Sequence, residues 1–153
     1  MSGDLNQSFK GKIAVVTGST QGLGEAVARL FADRGLSGLV ICGRNQSKGK
    51  EVADSIHQSG CPTYYDQAAR VQVEDCRNII QTADEEVGRI DCLVNCAAST
   101  DRGTVLDTSP ELFDQMFAVN TRAPFFLMQG ALKVMIREKI KGSIVNVQSM
   151  SAH

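Results

Sequence analysis

The sequence predicts a single α/β domain, doubly wound about a parallel sheet of five strands. Three observations lead there. Short apolar runs rich in β-branched residues alternate with longer segments of helical periodicity along all 153 residues. The alternation recurs in units of roughly thirty residues, the size of a strand–helix–strand module, which makes the strands parallel and the crossovers right-handed. Glycines or small polar residues mark the junctions, and no repeat or low-complexity linker interrupts the pattern.

Taken in order, "IAVV" (13–16) is the first strand and runs into the turn "TGSTQGLG". Leu23, Ala26, Val27, Leu30 and Phe31 then fall at i, i+3, i+4, i+7 and i+8, the apolar face of a helix that Gly35 stops. "GLVICG" (38–43) is the second strand, and Val52, Ala53 and Ile56 mark a more polar helix ending near Gly60. "PTYY" (62–65) is a third strand. Val73, Cys76, Ile80, Ala83 and Val87 step along a third helix that Gly88 ends. "DCLVNCA" (91–97) is the fourth strand. "TSPE" (108–111) opens a long helix, with hydroxyl caps and Pro110 in its first turn. That helix extends to about Glu138, carrying Leu112, Phe113, Met116, Phe117, Leu127, Ala131, Leu132 and Met135, and "SIVNV" is the fifth strand.

Composition narrows the function classes. A hydrophobic content of 42%, a charged content of 22% and a net charge of −1 leave no basic footprint for nucleic acid or anionic lipid. No apolar run reaches membrane-spanning length and the N-terminal segment has no apolar core, so a cytoplasmic protein is expected. The five cysteines contain no CxxC pair. Cys92 and Cys96, four apart on a strand, would lie about 13 Å from each other, too far to bridge. With His57 and His153 the only histidines, no metal site is expected, and the thiols read as buried and reduced.

In a parallel sheet of this kind ligands bind beyond the carboxyl ends of the strands, here Gly18–Gly24, Gly43–Asn45, Asn95–Ser99 and Gln148–Ser151. The first of these places Gly18, Gly22 and Gly24 around Ser19, Thr20, Gln21 and Leu23. Glycine permits the tight turn, the close approach of backbone to a diphosphate and tight helix–sheet packing, while the helix N-terminus beyond offers N–H groups to phosphate oxygens. About twenty residues past the last glycine, where NAD-binding folds carry an acidic residue on the ribose, this chain has Arg44, followed by Asn45. A guanidinium can fork onto a 2′-phosphate, so NADP(H) is favoured, with NAD(H) the alternative. Within the long helix, Pro124 has no N–H for the carbonyl of Asn120, which must find another donor; a water at the strand ends is a natural one.

These motifs resemble, in order and spacing, the short-chain dehydrogenase/reductase family, from the N-terminus through the last residue. "TGSTQGLG" matches the family's TGxxxGxG, and "NCAA" (95–98) stands where it has NNAG, with Asn95 and Ala97 retained. Asn120 in "VNT" matches the asparagine of the catalytic tetrad, and "SIVNVQS" matches the strand that ends in the catalytic serine, Ser149. The resemblance implies a Rossmann-like fold with its five strands in the order 3-2-1-4-5, and hydride transfer between a nicotinamide cofactor and a small alcohol or carbonyl substrate. It further implies that Ser149 hydrogen-bonds the substrate oxygen and that Asn120 holds a relay water. A tyrosine, activated by a lysine four residues on, would exchange the proton.

The sequence departs from the family at three points. Cys96 and Ala98 replace the second asparagine and the glycine of NNAG, and Ala69 stands where the family has an adenine-contacting aspartate. No Tyr-x-x-x-Lys occurs in the 153 residues, since Tyr64 and Tyr65 are followed four positions later by Ala68 and Ala69. The expectation is therefore a fold truncated after its fifth strand, inactive by itself, with Ser149 as half of a site. A non-catalytic nucleotide-binding or oligomerising module, or a truncated product without function, are the alternatives. The uncovered fifth strand and the apolar 109–138 helix predict self-association as a homo-oligomer, or pairing with a complete subunit.

Overall fold

The computed structural model describes residues 7–68 and 72–149. Its strands are β1 (Ile13–Thr17), β2 (Gly38–Gly43), β3 (Thr63–Gln67), β4 (Cys92–Asn95) and β5 (Ser143–Asn146). They form one sheet, parallel as the alternation predicts and in the order β3-β2-β1-β4-β5 that the resemblance implies. Helices α1 (Gly22–Asp33) and α2 (Gln46–Gln58) cover one face. Helix α3 (Val73–Val87) and a long C-terminal helical stretch cover the other. Because both faces are covered, β1 is buried at every position, and side chains alternate between layers. Val15, Val40 and Leu93 enter the core with α3, while Ala14, Val16, Leu39, Ile41 and Val94 enter that with α1 and α2.

Two strand boundaries move for identifiable reasons. β3 extends past Tyr65 because Asp66 and Gln67 pair with Cys42 and Gly43. β4 is shorter than 91–97 because the N–H groups of Cys96 and Ala97 leave the ladder for the Thr17 side chain. At its other end, Asp91 ties the sheet together. Its carboxylate accepts from the Ile13 N–H at 2.9 Å, from Arg89 at 2.7 and 2.9 Å, and from Lys12 at 3.3 Å. Burial pushes this carboxyl up, but the bonds from Arg89, Ile13 and Lys12 outweigh it and hold Asp91 below the ordinary carboxylate range.

The α1 face is turned relative to the periodicity reading. Leu23 and Leu30 are 59% and 50% exposed, and Ala26 is exposed as well. The buried positions are Gly24 and Ala28, with Val27 and Phe31 partly buried. The cause is steric. A Cβ on Gly24 would run into the Gly18 carbonyl oxygen, so the helix sits too close to the sheet for a large side chain on its inner face. α2 and α3 bury the predicted residues Val52, Ala53, Ile56, Cys76, Ile80 and Ala83.

The long helix is continuous but not uniform. α4 (Pro110–Phe117) starts at Ser109, whose hydroxyl accepts from the Leu112 N–H at 3.2 Å. A π-helical turn at Ala118–Arg122 follows, and α5 (Ala123–Arg137) completes it. The Ala123 N–H reaches back five residues to the Ala118 carbonyl, and Pro124 follows directly. The proline ring cannot donate to Asn120, and the wider turn relieves its clash with that carbonyl. α5 buries Leu127, Ala131, Val134 and Met135. Phe113, Phe117, Phe125, Leu132 and Ile136 stay exposed, as do Val145 and Val147 at the β5 end, on the other face of the sheet.

All five cysteines are free thiols, with Cys42, Cys61 and Cys76 buried; burial pushes Cys42 up to about 12. Among the described residues no group of side chains could hold a metal ion, and no helix is long and apolar enough to cross a membrane.

Candidate functional site

The carboxyl ends of β1, β2, β4 and β5 lie side by side, and the site is assembled there. The glycine turn follows β1 with Gly18 at φ +62° and Gly22 at φ +57°, both in the left-handed region that glycine alone enters freely. A Cβ at Gly18 would sit 2.8 Å from the Ala97 backbone, so the turn rests directly on the chain leaving β4. Thr17 fixes that contact, because its hydroxyl oxygen accepts from both the Cys96 and the Ala97 N–H at 3.1 Å. Gln21 is the N-cap of α1, yet its side chain caps none of the first-turn N–H groups, and Gln21, Gly22 and Leu23 are exposed. Unoccupied donors, a positive dipole end and no side chain in the way fit the diphosphate of a dinucleotide.

Not every predicted residue reaches this surface. Ser19 is fully buried: its hydroxyl donates to the Val16 carbonyl at 2.6 Å and accepts from the Cys42 N–H at 3.1 Å, while its own N–H bonds the Cys42 carbonyl. It shapes the turn from inside. Thr20 is buried against Gly43, where a Cβ would lie 2.5 Å from its methyl. Arg44 is exposed just past β2, beside the glycine turn. Asn45 spends its side chain capping α2, accepting from the Lys48 N–H at 3.0 Å. Beneath them Tyr65 donates to the Gly43 carbonyl at 2.8 Å and so pins the end of β2.

At β4, Asn95 is 4% exposed and donates to the Asn146 side chain on β5 at 2.8 Å. Its own Oδ1 has no partner among the described residues. The ladder continues through the Val147 N–H to the Asn95 carbonyl, and Ser149 lies exposed two residues further on. Asn120 sits in the π-turn with its side chain clipped to the loop after β4. It accepts from the Ser99 N–H at 2.9 Å and donates to the Ser99 carbonyl at 3.0 Å. The side chain is thus committed to the Ser99 peptide, and Pro124, four residues on, has no N–H to give the Asn120 carbonyl. Ala69 and the stretch 150–153 lie outside the described residues.

The sequence assigns no role to Thr17, Tyr65, Ser99 and Asn146, although Thr17 opens the glycine motif and Ser99 ends the strip named after β4. Each sits on or just past a strand, where threonine and tyrosine read as β-formers and asparagine as a turn residue. A groove of about 470 Å³ between α3 and α5, lined by Arg77, Gln81, Lys133 and Arg137 over Ile80 and Phe126, faces away from the strand ends and is no part of this site.

Residues 12–153 match the family model described as short chain dehydrogenase. An uncharacterized oxidoreductase of Thermotoga maritima is 35% identical over 145 residues, covering 93% of this chain and 55% of the relative. An L-rhamnose 1-dehydrogenase (NADP(+)) of Thermoplasma acidophilum is 30% identical, covering 95% and 57%. Among solved structures, a metagenomic short-chain oxidoreductase in complex with NADP superposes with a TM-score of 0.85 at 29% identity, covering 93% of this chain and 64% of that one. L-Sorbose reductase from Gluconobacter frateurii, complexed with NADPH and L-sorbose, gives 0.88 at 25% identity, covering 95% and 55%. The chain spans about half the length of the curated relatives it matches.

Proposed function

Because the chain belongs to the short-chain dehydrogenase family, we propose that it forms the cofactor half of an oxidoreductase interconverting an alcohol and a ketone or aldehyde with NADP(H). The observation that carries this reading is the Gly18–Gly24 turn seated on Ala97 by Thr17, with the uncapped start of α1 beside it. Gly18 and Gly24 let the turn pack on Ala97 and on itself, Gly22 faces open space where the diphosphate approaches, and the N–H groups at Gly22 and Leu23 bind it. Arg44 takes the 2′-phosphate. Asn95 and Ala97 border the cofactor from β4. The NADP of one solved neighbour and the NADPH of another support this choice over NAD(H).

The bound cofactor supplies the hydride exchanged with the substrate carbon. In this reading Ser149 donates a hydrogen bond to the substrate oxygen, and the Asn120 carbonyl holds a water on the proton path. The 153 residues contain no Tyr-x-x-x-Lys to complete that path. General acid catalysis contributes typically ~10²–10⁴-fold, so a polypeptide of these residues binds cofactor without ordinary turnover. The exposed phenylalanines of α4 and α5 favour a second role, association with another copy through residues 109–138.

The test is to titrate the chain into NADPH while following nicotinamide fluorescence, then to follow NADPH absorbance against a panel of ketones and aldehydes. Saturable binding without turnover is expected. Ordinary turnover would mean that another residue acts as the acid, and absent binding would refute the cofactor assignment.

A further inference from the structure

The strip Asn95–Ser99 is held at its near end by Thr17, which engages the N–H groups of Cys96 and Ala97. Beyond Ala97 the chain runs without regular structure to Ser109, and its residues through Asp107, Ser99 excepted, are exposed. Something else must fix the far end. The Ser99 hydroxyl donates to Asp101 Oδ2 at 3.0 Å, and the same oxygen accepts from Gln115 Nε2 at 3.1 Å. Gln115 stands on α4, five residues before Asn120, whose side chain clips the Ser99 peptide from the opposite direction. The bonds close a ring: Asn120 to Ser99, Ser99 to Asp101, Asp101 to Gln115, and back along the helix to Asn120.

We propose that Asp101 is a positioning residue, which locks the loop after β4 onto the α4–π-turn junction. The cofactor strip and the Asn120 carbonyl then move as one unit. The proposal rests on the cofactor and relay roles assigned above, and it adds the residue that couples them. Asp101 suits the task because one carboxylate oxygen can accept two donors, from a loop and from a helix, without being desolvated. The π-turn is where such a lock acts. A helix widened there has exchanged i to i−4 bonds for longer i to i−5 ones such as Ala123 to Ala118, and bonds from the loop add to them.

The test compares the unmodified chain with Asp101→Ala, Asp101→Asn and Gln115→Ala by amide hydrogen exchange and ¹⁵N spectra. Asn keeps an acceptor oxygen and loses the charge; Ala loses both. In Asp101→Ala, exchange at the Ser99 N–H and the Asn120 side-chain amide should speed up by roughly threefold to tenfold, the range given by losing about one net hydrogen bond. Gln115→Ala should show a smaller effect, and Asp101→Asn should return both signals to near the unmodified values. Amides of α3 and α5 should not change in any variant. Saturating NADPH should protect Ser99 in the unmodified chain and in Asp101→Asn, but less in Asp101→Ala. Unchanged Ser99 and Asn120 exchange in Asp101→Ala would overturn the proposal, as would an Asp101→Asn chain that behaves like Asp101→Ala. The exchange comparison needs no cofactor, so it decides the proposal even where NADPH binding, and with it the reading above, fails.

Discussion

Replacing Thr17 by valine tests whether the glycine turn and the end of β4 are held as one surface. The side chains are nearly equal in volume, so no cavity opens at a position only 2% exposed. What is lost is the acceptor for two N–H groups, those of Cys96 and Ala97, each 3.1 Å from the threonine oxygen. A buried donor stripped of its partner costs about 1–3 kcal/mol. Cys96 is half-buried and Ala97 is exposed, so the low end applies to each and the sum is about 2 kcal/mol. That is a substantial part of the ~5–15 kcal/mol that holds a typical domain together. Urea unfolding followed by circular dichroism should show the midpoint falling at constant m-value, and a chain of this size should melt about 4–8 °C lower. Thr17→Ser keeps the oxygen and should recover most of the loss. If Thr17→Val unfolds within about 0.5 kcal/mol of the unmodified chain, water replaces the threonine and the tie is not what joins the two loops.

Other substitutions probe the remaining parts. Asp91→Asn should destabilise the fold near neutral pH. The Asp91 carboxyl is held below its ordinary range, so its contribution is complete above about pH 4 and fades as pH falls through the lowered value. Unfolding curves of variant and unmodified chain should therefore converge in acid, and a gap that persists unchanged to pH 2 would contradict this. Pro124→Ala restores an N–H and should convert the π-turn to regular α-helix, visible as a shifted Ser99 amide because Asn120 is rotated away. An unshifted Ser99 signal would show that the proline is merely tolerated. Phe113→Ser with Phe117→Ser removes a ring pair with centroids 4.6 Å apart on the exposed face of α4. Sedimentation should then report a smaller species than the unmodified chain; an unchanged size would place the association surface elsewhere.

What the sequence made legible follows from what each element buries. The strands were plain because a parallel sheet covered on both faces needs apolar residues at every position, as β1 and β2 show. Parallel pairing followed from the alternation, whereas the strand order came with the family resemblance. α1 was legible as a helix but not in its orientation. Leu23 and Leu30 outweigh Gly24 and Ala28 in any hydrophobic periodicity, yet the close approach at Gly18 admits only the small residues. Pro124 announced that the Asn120 carbonyl loses its donor, while the five-residue reach of Ala123 and the clip to Ser99 depend on contacts across twenty-one residues. Ser19 and Asn45 lie within the predicted motifs, but their polar groups are consumed by strand and helix ends. A motif locates the loop and leaves open which of its side chains face outward.

The account turns most directly on Arg44 and the 2′-phosphate, and calorimetric titration of NADPH and NADH into the unmodified chain and Arg44→Asp measures it. A charge-assisted hydrogen bond to phosphate is worth about 1.5–3 kcal/mol, reduced at an exposed site, so NADPH should bind roughly tenfold tighter than NADH. In Arg44→Asp the carboxylate repels the 2′-phosphate and can accept from the ribose hydroxyls, so the preference should reverse. Equal affinity for the two cofactors in the unmodified chain, or an Arg44→Asp chain that still prefers NADPH, would contradict the assignment.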